Sequence, residues 1–117
     1  MRFGLTEDQK LFDHSLRGFL SARLPLDVLR RLAEPGNGFD GELWKGLGEL
    51  GLHAMLVPEE YGGAGLGLLD AALVAEGLGF HAAPTPYAAS QVMAVRAFQV
   101  AADDVQRRIW LPRIAAG

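Results

Sequence analysis

The sequence has 117 residues and a formal net charge of −3; half of the residues are hydrophobic and 21% are charged. This length fits a single domain, and this composition is typical of a globular chain rather than a disordered one. The slightly acidic balance gives no electrostatic reason to expect a nucleic-acid partner. The absence of cysteine excludes disulfides, thiolate catalysis and zinc sites built on sulfur. Neither the apolar core of a signal peptide nor a run of about 18 apolar residues is present, so we expect a cytoplasmic protein without a membrane span.

Three amphipathic helices are predicted in the first half of the chain. Thr6 and Gln9 form the pattern of a capping box. Behind this pair, apolar residues recur at i, i+4, i+7 and i+8, namely Phe12, Leu16, Phe19 and Leu20. A short second helix follows Pro25, because proline favours the first position of a helix. The third helix is predicted to begin at Asp40 and to end before Gly51, where a left-handed residue is favoured.

The stretch from Val57 to Gly79, VPEEYGGAGLGLLDAALVAEGLG, predicts a glycine-rich loop that leads into a helix over about residues 68–79. Only Asp70 and Glu76 are charged in this helix, and a helix that is apolar on nearly every side is typically buried. We therefore expect it to be the central helix of the domain. Glu76 is expected to reach the surface or to pair with an arginine such as Arg96.

The four glycines of this loop invite comparison with a phosphate-binding loop, but their spacing is wrong. A dinucleotide fingerprint needs G-x-G-x-x-G directly after a strand, and the third glycine that Gly63 and Gly65 would require is replaced by Leu68. The Lys-Ser/Thr ending of a P-loop is absent too. A structural connection is favoured, since glycine adopts positive φ without steric cost. The apolar run from Leu52 to Val57 before the loop is interpreted as an irregular buried piece.

Two further helices complete the chain. The fifth is predicted from about Pro86 to Ala101, after a Thr85-Pro86 pair that fits a capping residue followed by proline. Asp103 with Gln106 forms a capping box for the sixth helix. Its inward-facing residues are predicted to be Val105, Ile109 and Trp110. Pro112 is expected to kink or end this helix, because proline removes a backbone donor and crowds the preceding turn.

The predicted fold class is therefore all-α, a bundle of about six helices. The fourth and fifth helices are both nearly apolar all round, and a domain of this size buries only about 60–70% of its unfolded surface. We therefore expect an apolar face that meets a second domain, a subunit or an apolar ligand.

No set of side chains forms a self-contained active site by sequence. Glu59 and Glu60 are adjacent, so their carboxylates point in different directions and an acid–base pair is not expected. His14, His53 and His81 lack the spacing of metal ligands. The tyrosines and tryptophans are interpreted as core or interface residues rather than as cofactor-stacking groups.

Four segments nevertheless resemble the N-terminal helical domain of the acyl-CoA dehydrogenase family. They are LTEDQKLF, LWKGLGELGLHAMLVPEEYGGAGLGLLDAALVAEGLG, APTPYAAS and WLPRIAAG, and together they extend in order over essentially the whole chain. Gly77 departs from the second acidic residue that usually follows the glutamate in this family. The resemblance implies that residues 1–117 are one helical domain, and that the middle β-domain and the C-terminal helical domain of the family are absent from this chain.

The resemblance implies a flavoenzyme. In such enzymes a carboxylate base removes the α-proton of an acyl-CoA thioester, and FAD accepts the β-hydrogen as hydride. The base and most FAD contacts come from the two domains that this chain lacks. No catalytic residue is therefore assigned here, and the cofactor-binding residues stay unknown. We expect the chain alone to be inactive and not to retain FAD.

The resemblance also implies that the fifth helix forms one wall of the acyl-chain pocket. Pro86, Ala89 and Met93, spaced i, i+3 and i+7, would face the acyl group. Tyr87 and Ser90 would border them. The alternative, that these residues are ordinary core, stays open.

The partners implied by the resemblance are an acyl-CoA substrate, the remaining dehydrogenase domains or a partner subunit, and an acceptor of the electron-transfer flavoprotein type. A homo-oligomer and a role in fatty-acid or lipid catabolism are expected as well. A second hypothesis is a short non-enzymatic helical module that associates with itself or with a partner subunit. The two hypotheses differ in whether the polypeptide continues past Gly117 into a β-rich segment.

Overall fold

The computed structural model describes residues 3–117, and in this range it contains helices and loops without a strand. The six α-helices are α1 (Glu7–Arg23), α2 (Leu26–Leu32), α3 (Gly41–Glu49), α4 (Leu68–Phe80), α5 (Val95–Ala101) and α6 (Asp104–Ala116). A π-helical segment, Ala88–Ala94, runs directly into α5, and a 3₁₀ turn, Glu59–Tyr61, lies in the loop before α4. The predicted all-α fold of about six helices is confirmed, and the predicted helix at about 68–79 is α4.

The ends of the helices follow local signals in the sequence. In the first capping box, Thr6 N–H donates to Gln9 Oε1 at 3.0 Å and Gln9 N–H donates to Thr6 Oγ1 at 3.2 Å. The predicted capping box at the start of α6 and the Asp40 cap of α3 are formed as well. Gly51 follows α3 with a φ of +92°, as expected. The helix after Thr85 begins without a side-chain cap, so the cap predicted there is wrong.

Two apolar clusters form the core, and α4 contributes to both of them. The larger cluster joins residues of α1, α3 and α4, among them Leu16, Leu20, Leu43, Leu47, Val74 and Leu78. The smaller cluster joins the segment before the loop to α4, α5 and α6 through Leu56, Val57, Ala71, Val95 and Leu111. The run from Leu52 to Val57 is irregular and almost wholly buried, as predicted. The helix α4 is therefore the axis of the domain.

Only one side of α4 is buried, which corrects the sequence-based prediction. Leu68, Leu69 and Phe80 are 54%, 63% and 76% exposed, whereas Val74 is fully buried. The physical reason is the shape of the domain, which extends 44 × 41 × 19 Å along its principal axes. A thickness of 19 Å holds about two layers of helices. No third layer covers the outer side of α4 within the described residues.

The orientation of α6 also differs from the prediction. The three residues predicted to face inward are all exposed: Val105, Ile109 and Trp110. Leu111 is fully buried instead, and Arg107 and Ile114 are half-buried beside it. Arg107 Nε donates to the carbonyl of Phe98 at 3.1 Å, which fixes this face of α6 against α5. The helix also continues through Pro112 to Ala116, so of the two predicted effects of the proline, a kink or an end, the end is wrong.

Candidate functional site

The glycine-rich loop between residues 62 and 67 uses all of its backbone N–H groups internally. Those of residues 62 to 66 donate to carbonyls of residues 54 to 59 at distances of 2.8–3.1 Å, and Gly67 N–H donates to Asp70 Oδ2 at 3.0 Å. Gly62 and Gly65 have positive φ, at +84° and +61°. A phosphate cradle needs free N–H groups. The loop is therefore a structural connection, which agrees with the interpretation of its spacing.

A short polar network joins the start of α1 to the start of α4. Asp70 Oδ1 accepts a hydrogen bond from Gln9 Nε2 at 2.9 Å, while its other oxygen accepts the Gly67 N–H. Beside this pair lies a cleft of about 300 Å³ with mostly apolar walls, to which Phe12 and Met55 contribute. Because both carboxylate oxygens of Asp70 already accept hydrogen bonds, the polar end of the cleft is accounted for as a structural link.

The residues predicted for the acyl-pocket wall lie along the π-helical segment and just before it. Pro86 and Ala89 are exposed, and Met93 is 69% exposed. Ser90 is half-buried. These four residues are not ordinary core in the described chain. The three residues with the i, i+3, i+7 spacing give an uncharged exposed surface, which we call the Met93 row (Pro86, Ala89 and Met93).

Tyr87 lies apart from this row. Its side chain is 2% exposed and packs in the larger core cluster, and its hydroxyl has no hydrogen-bond partner in the structure. Burial, and to a lesser extent the nearby negative charge of Asp70, raises the pKa of Tyr87 to about 12. Both effects favour the neutral phenol. Tyr87 therefore supports the segment from beneath rather than extending the exposed row.

We expect Tyr87→Phe to raise the free energy of unfolding by about 1 kcal/mol, because a buried hydroxyl without a partner costs stability. The ring itself, which fills the core, is retained. Urea unfolding at neutral pH measures the change. A matched control is Tyr61→Phe, since Tyr61 is only partly buried and its change should be smaller. A loss of stability in Tyr87→Phe would show that the hydroxyl has a partner in solution.

Gln91 is a buried polar residue that the sequence-based reasoning did not single out. It is 3% exposed, and its Nε2 donates to the carbonyl of Ile114 in α6 at 2.8 Å. The Ser90 hydroxyl contacts Gln91 Oε1 and also lies 2.9 Å from the carbonyl of Pro86. The only sequence signal was a set of polar residues at scattered angles around an otherwise apolar helix.

The other candidate charged groups do not assemble into a catalytic site. Glu76 is exposed and lies 3.8 Å from Arg17 Nη2, so it reaches the surface as predicted and its nearest cation is not Arg96. Within residues 3–117, no group of three or more His, Asp or Glu side chains is arranged to hold a metal ion. Every helix in this range falls short of the length and apolarity that crossing a membrane requires.

Comparison with known proteins places the fold in context. Residues 6–117 match the family model described as acyl-CoA dehydrogenase, N-terminal domain. The chain is 36% identical over 83 residues to acyl-CoA dehydrogenase IpdE2 of Mycolicibacterium smegmatis, which covers 70% of this chain and 27% of that protein. It is 30% identical to mitochondrial isovaleryl-CoA dehydrogenase of Bos taurus, over 97% of this chain and 27% of that protein.

A similar solved structure is that of the ChsE4-ChsE5 complex from Mycobacterium tuberculosis. The TM-score is 0.78 at 26% sequence identity, covering 99% of this chain and 29% of the matched chain. The all-α fold and the family match together define the N-terminal domain of an acyl-CoA dehydrogenase. The chain belongs to the acyl-CoA dehydrogenase family, and it spans about a quarter of the length of the curated relatives it matches.

Proposed function

We propose that this chain is the N-terminal domain of an FAD-dependent enzyme that dehydrogenates acyl-CoA thioesters between the α- and β-carbons. In this proposal the Met93 row forms one wall of the acyl-chain pocket, Ser90 lies at its margin and Tyr87 supports it from the core. The observation that carries the assignment is the exposure of an uncharged row on the segment that the family resemblance aligns with the pocket. An uncharged wall excludes water from an acyl chain without leaving polar groups unpaired.

FAD, which the family implies, does not fit the glycine-rich loop at residues 62–67 as a phosphate cradle, because every N–H group of that loop already has an acceptor. We therefore assign no flavin contact and no catalytic base to this chain. Both belong, in this proposal, to the middle β-domain and the C-terminal helical domain of a longer enzyme. Substrate and electron-acceptor chemistry likewise depend on those domains, with an acceptor of the electron-transfer flavoprotein type.

The exposed side of α4 supports the presence of further protein in the working enzyme. Leu68, Leu69 and Phe80 all lie on it, and an apolar surface of this kind is costly to leave in water. We propose that the remaining dehydrogenase domains, a partner subunit or further copies of the enzyme cover it. The helical-module hypothesis explains the same surface by self-association, so the extent of the natural polypeptide beyond Gly117 distinguishes the two.

The pocket wall is tested by Met93→Trp in the assembled enzyme. A larger side chain on the wall should lower kcat/KM for long acyl-CoA substrates by about tenfold or more, and for short ones much less, because only long chains reach the narrowed part. The control is Leu11→Trp, which enlarges an exposed apolar residue on α1. It should change kcat/KM neither for long nor for short acyl-CoA substrates. An equal effect on all chain lengths, or no effect at all, contradicts the proposed wall.

The isolated chain is expected to be colourless and inactive. Its flavin content can be measured from the absorbance spectrum after incubation with FAD and dialysis. Since the loop N–H groups are already hydrogen-bonded, no phosphate group of FAD gains the cradle that tight binding uses. A stoichiometric yellow complex that survives dialysis would overturn this prediction and would reassign part of the flavin site to this domain.

A further inference from the structure

The buried amide of Gln91 lies inside the π-helical segment Ala88–Ala94. Its nitrogen donates to the carbonyl of Ile114 at 2.8 Å, and its oxygen is contacted by the Ser90 hydroxyl. Both ends of the amide therefore have partners. A polar side chain at this depth is stable only when its hydrogen bonds are made, so the position of Gln91 is determined closely.

The partners of Gln91 connect the Met93 row to α6. The Ser90 hydroxyl lies 2.9 Å from the carbonyl of Pro86, which is the first residue of the row. The single proton of the Ser90 hydroxyl is within reach of two acceptors, the Pro86 carbonyl and Gln91 Oε1, so polar contacts extend from Pro86 through Ser90 and Gln91 to Ile114. In the sequence Gln91 lies between Ala89 and Met93, yet it is buried while they are exposed. Because Gln91 is anchored on the inner side of the segment, Ala89 and Met93 are directed outward.

A π-helical segment is rare and needs stabilisation from its surroundings. Two other anchors act on the following helix: Arg107 donates to the carbonyl of Phe98, and Gln99 Nε2 donates to the carbonyl of Leu56 at 3.0 Å. Both fix α5, outside the π-helical residues. Among the hydrogen bonds of the described residues, the bond from Gln91 to Ile114 is the one that joins the π-helical segment to another helix.

We infer that Gln91 is a positioning residue: its bond to the Ile114 carbonyl holds the π-helical segment in register and so presents Ala89 and Met93 on the exposed surface. Without this bond the segment relaxes towards ordinary α-helical geometry, which rotates the row around the helix axis. As a statement about an acyl pocket, the inference rests on the proposed function. As a statement about the direction of Met93, it can be tested without substrate.

The three methionines of the chain provide a direct measurement. With ¹³C-labelled methionine methyl groups, the full chain gives separate signals for Met93, which is exposed, and Met55, which is buried in the core. Gln91→Leu removes the amide and puts an apolar side chain of similar size in its place. We expect the Met93 resonance to shift while the Met55 resonance stays in place. An unchanged Met93 signal, or an equal shift of both signals, overturns the inference.

Gln99→Leu is the matched control, because it removes the same kind of amide-to-carbonyl bond from α5. It should leave the Met93 resonance unchanged, and a Met93 shift as large as that of Gln91→Leu would contradict the special role of Gln91. If Gln91→Leu does not fold, Ser90→Ala decides, since it removes the hydroxyl that contacts both the Gln91 amide oxygen and the Pro86 carbonyl and so loosens the amide that donates to Ile114. It should shift Met93 by a smaller amount, and the absence of a shift then overturns the inference.

The acyl-CoA kinetics of the assembled enzyme separate this inference from the proposed function. If Met93→Trp leaves chain-length selectivity unchanged while Gln91→Leu still shifts the Met93 signal, the pocket wall is wrong and the positioning role stands. If Met93→Trp changes selectivity while Gln91→Leu moves neither the signal nor the KM for long acyl-CoA, the pocket wall stands and the positioning role is wrong.

Discussion

Gly63→Ala should lower the free energy of unfolding by about 3 kcal/mol, because the new methyl group has no space. A Cβ at this position would lie 1.8 Å from the carbonyl oxygen of Val57 and 2.3 Å from its carbonyl carbon. Both are backbone atoms, and Val57 is fully buried. Its carbonyl also accepts the N–H of Gly65 at 2.9 Å, so moving it away breaks a hydrogen bond of the loop. Urea unfolding followed by circular dichroism measures the loss.

Gly18→Ala is the control for this substitution. Gly18 lies within α1, and a Cβ there would meet nothing within 4 Å. Replacing a helical glycine with alanine in open space should raise stability by about 0.5–1 kcal/mol. The two glycine-to-alanine changes are therefore expected to have opposite signs. If Gly63→Ala does not lower the free energy of unfolding relative to Gly18→Ala, the close approach between the loop and Val57 does not exist in solution.

Acid should destabilise the domain through His53. This residue is buried, its ring centroid lies 4.1 Å from that of Trp44, and neither of its ring nitrogens has a hydrogen-bond partner. Burial lowers the pKa of His53 below its ordinary value of 6.5, and the nearby carbonyls of Ala116 and Trp44 oppose this shift without reversing it. No charged side chain contributes to the shift. The folded state therefore holds the neutral imidazole below the pH at which the unfolded chain takes up a proton.

The sign of the pH dependence follows from this difference. Above pH 6.5 the imidazole is largely neutral in both states and the full stability is present. As the pH falls from 6.5 towards the lower pKa of the folded state, only the unfolded state gains the proton, so stability is lost at up to about 1.4 kcal/mol per pH unit. His53→Gln should remove this component of the slope, whereas His14→Gln, at an exposed position on α1, should retain it. Urea unfolding at pH 8, 6.5 and 5 measures it, and equal slopes in all three proteins would contradict the assignment.

Local sequence signals predicted the helices well because they act over a few residues. The capping boxes at Thr6 and Asp103 and the left-handed Gly51 need only their immediate neighbours, and each is present in the structure. The spacing of the loop glycines was informative for the same reason. The loop fails the phosphate-binding pattern in sequence, and its N–H groups are all bonded internally in the structure.

The orientation of α6 could not be obtained in this way. Several of its residues are apolar on different sides, and Leu111 is buried because it packs with Leu56, Val57 and Val95, which are distant in the sequence. The exposure of one side of α4 also depends on distant parts of the chain, because it is set by the number of helix layers in the domain.

In the candidate site, too, some features follow from the local sequence and others depend on contacts with distant residues. The family resemblance indicated the segment from Pro86 to Met93, of which Pro86, Ala89 and Met93 are exposed. Residue type alone did not show that Tyr87 turns into the core while Met93 turns outward, since both are large and apolar in character. The contact of the π-helical segment with α6, through Gln91 and Ile114, joins residues far apart in the sequence and has no short-range sequence signature. Gln91 was overlooked because a single amide in a helix is usually a solvated residue.

The 19 Å thickness of the domain has a consequence for how the sequence tolerates mutation. In a domain this thin, few side chains are buried from solvent on both faces. Folding therefore restricts the residue type strongly at only a minority of positions. Polar replacements at Leu68, Leu69 or Phe80 remove few contacts inside the domain, chiefly those of the Phe80 ring with Arg17 and His81, and should lower its unfolding free energy by no more than about 1 kcal/mol. Any selection that keeps these residues apolar must therefore act on assembly, and mutational maps of folding and of enzyme activity should diverge most on the outer side of α4.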